Sequence, residues 1–222
     1  MNSTTPINGE TLPDMLPLFP LPGALLLPHG RVPLNIFEPR YLNMFSDALG
    51  HGRIMGMIQP SANVEHPVPE DTPLYSIGCA GRITSFSEKE DGHFAVTLMG
   101  ICRFRVAAEL APRAGYRRVS ADYMPFREDL EDDEGEVTDR KQFMELVERY
   151  FRFKGIEADW NSVRDAHDAA LVTSLAMLCP FEIGEKQALL EASGTANRGD
   201  VLATLMEIAV GVSGSSDHTA RH

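Results

Sequence analysis

Chemistry at neutral pH needs histidine, cysteine, paired carboxylates or an activated hydroxyl brought to one place. The chain's seven histidines, His29, His51, His66, His93, His167, His218 and His222, are scattered, with no HExxH or HxH spacing that would seat a metal. Four of them adjoin proline or glycine in turn-like contexts, and His167 beside Asp168 reads as part of a solvated helix face. Cys79, Cys102 and Cys179 are odd in number and form no CxxC pair, so neither a zinc site nor a disulfide framework is expected. A reducing cytoplasm is the default compartment for such a chain. Cys79 and Cys102 fall on predicted neighbouring strands, where a buried thiol behaves as a small hydrophobe. There is no GxxxxGK(S/T) phosphate loop, no GxGxxG after a strand and no GxSxG elbow. Nothing here assembles a nucleophile, a base and an oxyanion donor. The expectation is a non-enzymatic protein with no catalytic residue, no metal and no cofactor.

The elements that must position any binding residue change in character along the chain. Eight of the 15 prolines fall at or before Pro39, interrupting short apolar runs in LPLFPLPGALLLPHGRVPLNIF (16–37), which suits short edge strands. Pro39 fits the first position of a helix, Tyr41, Leu42, Phe45 and Leu49 recur at helical spacing, and Gly50 fits the position just past its end. IMGMIQ (54–59) reads as a buried strand. The clearest hairpin alternates Tyr75, Ile77, Cys79 and Ile83 on one arm and Phe94, Val96 and Leu98 on the other. Asp91-Gly92 supplies its turn. GICRFRV (100–106) and YRRVSADY (116–123) add strands. Beyond them, helical periodicity takes over in VTDRKQFMELVERYFRF (137–153), SVRDAHDAALVTSLAMLC, EKQALLEA and GDVLATLMEIAV.

Between the halves runs EDLEDDEGE (128–136), seven acids in nine residues, which repel one another and read as a solvated linker. Residues 1–127 carry 11 basic and 12 acidic side chains, whereas 128–222 carry 9 and 20, giving a net charge of −12 overall. That balance disfavours nucleic acid as a partner, because phosphate affinity comes from clustered Lys and Arg. Apolar runs such as ALVTSLAML (170–178) are too short to span a membrane, and MNSTTPINGETLPDM lacks the basic start and apolar core of a secretory signal. The predicted organisation is a β-rich subdomain over 15–127 and an α-helical subdomain over 137–212, with 1–14 and 213–222 as disordered tails.

The segment LPLFPLPGALLLPHGRVPLNIFEPRYLNMFSDAL resembles the start of the N-terminal, substrate-binding domain of Lon ATP-dependent proteases. GCAGRIT, then MGICRFRV with its GxxRFRV pattern, and EKQALLEASGTANR with its QxLLE…R pattern extend the resemblance from about Leu16 to Val212. The resemblance implies an α+β fold, a PUA-like β pseudo-barrel followed by a helical bundle. It also implies a role in recognising unfolded or partner polypeptides, as an adaptor in protein quality control that serves a separate protease. The ATPase and Ser-Lys protease modules of Lon have no counterpart in these 222 residues, so a hydrolase label would rest on family transfer alone. A PUA-like RNA-binding module is the alternative. Its local support is the cluster Arg113, Arg117 and Arg118 beside Tyr116.

Within the signature, Glu38, Pro39, Arg40, Arg103 and Arg105 are expected to be structural. Glu38 should cap the helix that begins at Pro39 and meet whichever of Arg103 and Arg105 points inward. Phe37, Tyr41 and Phe45 are core candidates and also the candidate lining of a peptide-binding groove. The oligomeric state has no signal in the sequence.

Overall fold

Alternating apolar and polar residues turn the first half of the chain into strands, and the pairing that those strands find closes a barrel. The computed structural model describes residues 4–7, 10–64 and 67–216. The chain divides into two units, Met1–Asp132 with Pro180–Leu190 and Asp133–Cys179 with Glu191–His222. The first unit opens on a hairpin of β1 (Thr4–Ile7) and β2 (Glu10–Pro13). The expected tail over 1–14 is therefore corrected: Leu12 is fully buried and the Tyr123 hydroxyl donates to the Pro13 carbonyl at 3.0 Å. Residues 1–3 and 8–9 lie outside the described residues.

Next come β3 (Met15–Pro20), β4 (Arg31–Ile36), helix α1 (Pro39–Gly50), β5 (Ile54–Ile58), β6 (Ile77–Glu88), β7 (Phe94–Arg113) and β8 (Tyr116–Asp122). The sheet order is β4-β7-β6-β5-β3-β8, and the long β7 also pairs with β8, closing the ring. β3 is not an edge strand despite its prolines. It pairs β8 over Met15–Pro17 and β5 over Leu18–Pro20, so each side of the strand is used over only three residues. GICRFRV is not a separate strand but the middle of β7, where register shifts beside Gly81 let 20 residues curve around the barrel. Leu16, Leu18, Ile54, Cys102, Phe104 and Val119 fill the interior. The turn at Asp91-Gly92 forms as its residue types dictate, with Gly92 at φ +76° and the Lys89 amide donating to His93. Helix α1 keeps Gly50 as its last residue. The positive φ values come at Gly52 and Arg53 instead.

A 3-10 segment (Met124–Leu130) follows β8. In the second unit, α2 (Arg140–Lys154) is capped by Asp139, whose carboxylate accepts from the Gln142 amide at 3.0 Å, and it ends at Gly155 with φ +66°. The helix predicted over SVRDAHDAALVTSLAMLC breaks into α3 (Trp160–Asp165) and α4 (Asp168–Leu178). Arg140 donates to the carbonyls of Arg164 and Ala166 and pairs with Asp168, which also accepts from the Val137 amide, so tertiary partners take the groups that a continuous helix would use. α5 (Ile183–Glu191) and α6 (Gly194–Ser216) complete the chain, with α2 and α4 packed on α6. Residues 213–216, expected in the tail, continue α6, and 217–222 lie outside the described residues.

The linear division into 15–127 and 137–212 also needs correction, because 180–190 are grouped with the barrel unit. Gln187 donates to the Ile77 carbonyl at 3.1 Å and accepts from Gln59, while the Lys186 ammonium reaches the Gly23 carbonyl at 2.6 Å. These buried polar side chains give α5 a defined seat. The fold is α+β. Among the described residues, no helix is long and apolar enough to cross a membrane.

Candidate polypeptide-binding surface

β4, β7 and β6 run past the barrel ring as a three-stranded extension, and its aromatic side chains form the surface of interest. Opposed residues in an antiparallel pair share a face. Phe86 stands opposite Val96, and Phe94 stands opposite both Glu88 and Ile36. That face lies on α1, where Phe45 meets Phe94 at 4.8 Å and Phe86 at 5.4 Å between ring centroids. Phe45 and Ile36 are buried, Phe94 is half-buried, and Phe86 remains 44% exposed. Phe37, one residue past β4, is 52% exposed and rests on the His93 ring at 5.7 Å, while His93 pairs with Asp91 at 2.9 Å. Buried Phe45 thus holds up the exposed Phe86, an apolar surface of the kind that marks interaction sites, whereas Phe37 rests on the partly exposed His93 ring. Glu88, Glu90 and Asp91 line the hairpin tip beside it, and Lys89 is drawn aside to Asn35 at 2.9 Å.

The three residues proposed from sequence as a groove separate in the structure. Phe37 faces solvent, whereas Tyr41 and Phe45 are core. Tyr41 packs edge-on against Phe19 at 4.6 Å beneath the Arg40 guanidinium, and burial pushes its phenol up to about 12. A partner could touch Phe37 but not the other two, and Phe45 serves as the support for Phe86 and Phe94. Sequence reading missed Phe86. Strict alternation from Tyr75, Ile77, Cys79 and Ile83 puts Phe86 on the opposite face, and only the register shift between Ile83 and Ser85 brings it opposite Val96.

The expected pairing of Glu38 with a strand arginine is not what forms. Glu38 is the residue preceding α1, but its carboxylate makes no capping bond and instead holds Arg40 at 2.8 Å. Arg40 also donates to the Val68 carbonyl at 2.8 Å. Of the two strand arginines, Arg105 is exposed and Arg103 is buried. Arg103 meets Asp129, at 2.7 Å from Nη2 and 2.9 Å from Nε, and its Nη1 reaches the Leu190 carbonyl. Asp129 belongs to the run read as a solvated linker. No local pattern distinguishes it from its six acidic neighbours, so this partner could only be found in three dimensions.

GxxRFRV can now be read residue by residue. A Cβ on Gly100 would stand 2.0 Å from the Leu27 carbonyl oxygen, because the segment Leu27–Gly30 crosses the strand there. Arg103 is the buried cation, Phe104 fills the core and Arg105 faces out. In QxLLE…R, Gln187 seats α5, Leu189 and Leu190 are buried, and Arg198 donates to the Ala192 carbonyl at 2.9 Å.

Among the described residues no three His, Cys, Asp or Glu side chains are placed to hold a metal ion. All three thiols are buried, and burial holds Cys79 well above the usual range and Cys102 up to about 12, so neither supplies a thiolate at neutral pH. The basic cluster is internally engaged. Arg113 pairs with Asp47 at 3.1 Å, Arg117 with Glu109 at 2.6 Å, and Arg118 donates to the Ala111 carbonyl at 2.8 Å. The second unit has its own exposed apolar side chains, Phe153, Leu178 and Ile208.

Comparison with known proteins gives this geometry a context. The chain is 27% identical over 190 residues to Lon protease 2 of Myxococcus xanthus, spanning 83% of this chain and 22% of that protein. It is likewise 27% identical over 198 residues to Lon protease of Erwinia amylovora, spanning 86% and 24%. The chain therefore matches about a quarter or less of the length of these relatives. The solved structure of a Lon N-terminal domain protein from Xanthomonas campestris superposes with a TM-score of 0.58 at 26% identity, covering 86% of this chain and 97% of that one. The N-terminal domain of a Mycobacterium avium complex Lon protease, 18% identical, shares the fold with a TM-score of 0.56. The family model described as the ATP-dependent protease La (LON) substrate-binding domain matches residues 15–207. The chain belongs to that family.

Proposed function

We propose that this protein is a non-catalytic receptor for unfolded polypeptide segments and that it engages them on the surface built from Phe86 and Phe94, with Phe37 as a separate exposed ring at the same end of the extension. The observation that carries this reading is the exposed Phe86 on the Phe45 and Phe94 rings that the barrel and α1 hold fixed, with a second exposed ring, Phe37, resting on His93. Fixed aromatic side chains lose little entropy on binding and contribute most of the energy at interfaces. The family's description as substrate-binding supports a polypeptide ligand, and delivery to a separate cytoplasmic protease is the role that such a receptor would serve. The RNA reading loses ground because Arg113, Arg117 and Arg118 are occupied by Asp47, Glu109 and Ala111 and the net charge is −12.

The test is fluorescence anisotropy with a reduced, alkylated, permanently unfolded protein, run beside single-stranded RNA at physiological salt. The intact protein should bind the unfolded chain and leave RNA unbound. Replacing both Phe37 and Phe86 by serine should weaken binding about tenfold or more, roughly 1.4 kcal/mol, in a protein that stays folded with a modestly lowered melting temperature. Undiminished binding by that double variant, or tighter binding of RNA, would overturn the proposal.

A further inference from the structure

Among the described residues, the outer segment of β6 is paired on one side only. Its pairing with β5 ends at Ile54 opposite Arg82, with one further bond from the Ile83 amide to the Arg53 carbonyl, whereas its pairing with β7 continues to Glu88 opposite Phe94. Residues 84–88 are all exposed. The ladder phase says which backbone groups face outward. The Lys89 amide donates to the His93 carbonyl, so 89 and 93 form a hydrogen-bonded pair. In an antiparallel ladder such pairs recur at every second residue, at Ser87 with Ala95 and Ser85 with Thr97. The amides and carbonyls of Phe86 and Glu88 therefore point away from β7, toward solvent.

The other edge of this extension is closed to strand addition by its sequence. In β4 the same phase turns Arg31, Pro33 and Asn35 outward, and Pro33 has no amide hydrogen to offer. The β6 edge contains no proline. Its charge is also graded, from Arg53 and Arg82 at its base to Glu88, Glu90 and Asp91 at its tip.

We infer that Thr84–Glu88 is a docking edge at which an unfolded polypeptide adds as a further strand, antiparallel to β6, with basic residues at its N-terminal end. This rests on the polypeptide-receptor reading and specifies how the ligand binds. Backbone groups of Phe86 and Glu88 supply pairing that is indifferent to ligand sequence, and the exposed Phe86 ring selects an apolar residue beside it. An antiparallel ligand begins at the hairpin tip, where the carboxylates favour Lys or Arg, and ends near Arg53, where an acidic residue is favoured.

The probe is the peptide KKSVFVSEE. In the intact protein, saturating probe should slow amide hydrogen exchange at Phe86 and Glu88, while Ser85 and Ser87, already bonded to β7, change little. Glu88→Pro removes one outward amide without removing a rung of the β6–β7 ladder, as Pro33 does on the opposite edge, and should weaken binding about tenfold. Glu88→Gln keeps the amide and should weaken it about twofold. Unchanged exchange at Phe86 and Glu88 under saturation, or equal affinity of the Pro and Gln variants, would overturn strand addition. If the intact protein binds neither this probe nor the unfolded protein, the receptor reading fails with it. Binding of unfolded protein that survives Glu88→Pro removes the docking edge alone.

Discussion

Arg103 and Glu38 show how differently two charged signature residues can behave. Arg103 and Asp129 are both almost wholly buried and share three short hydrogen bonds, so removing one partner strands the other in a medium that solvates it poorly. Asp129→Asn is expected to destabilise the protein by about 3–5 kcal/mol in denaturant melts. Replacing Arg103 by methionine and Asp129 by leucine together should cost much less than the two single losses summed, a coupling that a double-mutant cycle measures. Glu38→Ala should be mild, about 1 kcal/mol or less, because Arg40 remains partly solvated and keeps its bond to the Val68 carbonyl. A loss of several kcal/mol there would mean that Glu38 has a partner other than Arg40. Alternation along a strand puts Arg103 and Arg105 on the same face, so the sequence did not reveal that Arg103 alone is covered, by Asp129 and the Leu190 carbonyl. Nor did it reveal the partner, because ion pairing follows proximity in space and Asp129 lies 26 residues away among like charges.

At the level of elements, the crossing of β7 by the segment Leu27–Gly30 is the tightest backbone approach in the barrel. The Gly100 amide donates to the Gly30 carbonyl at 2.9 Å and its own carbonyl accepts from His29 at 3.0 Å, so the two chains lie in contact with no room for a side chain. Gly100→Ala is therefore expected to cost about 3 kcal/mol, measured by thermal or denaturant unfolding, because the clash is with backbone rather than a movable side chain. Gly50→Ala, with open space around it and ordinary helical backbone, should be neutral or slightly stabilising. The hairpin of β6 and β7 and the start of α1 at Pro39 were legible, because each is fixed by residues within a few positions of one another. The break between α3 and α4 was not, because Arg140 and Val137, which stabilise it, precede it by more than 20 residues.

For the whole molecule, each unit has its own polar anchors and its own response to pH. In the second unit, burial pushes the Asp133 carboxyl up, but bonds from the Thr195 hydroxyl at 2.7 Å and the Gly135 amide outweigh it and hold the group below the usual aspartate range. A carboxyl with a lowered folded pKa stabilises the fold above its unfolded value, about 3.9, and that contribution is lost as pH falls through the folded value. Thr195→Val should destabilise by about 1 kcal/mol at neutral pH, the carboxylate being largely solvated, and the gap from the intact protein should narrow below about pH 4. A gap independent of pH would assign the effect to packing of the buried Thr195. By itself the sequence determined the change from strands to helices, the acidic balance and the family, because these are written in local periodicity, composition and short motifs. Tertiary structure alone decided that Asp129 leaves the acidic run for Arg103, that α5 is grouped with the barrel, and that Phe45 is covered while Phe37 and Phe86 are not. The reason is that exposure and charge pairing depend on which distant segments arrive alongside a residue, and strand pairing between residues as far apart as Met15 and Ser120 sets that arrival.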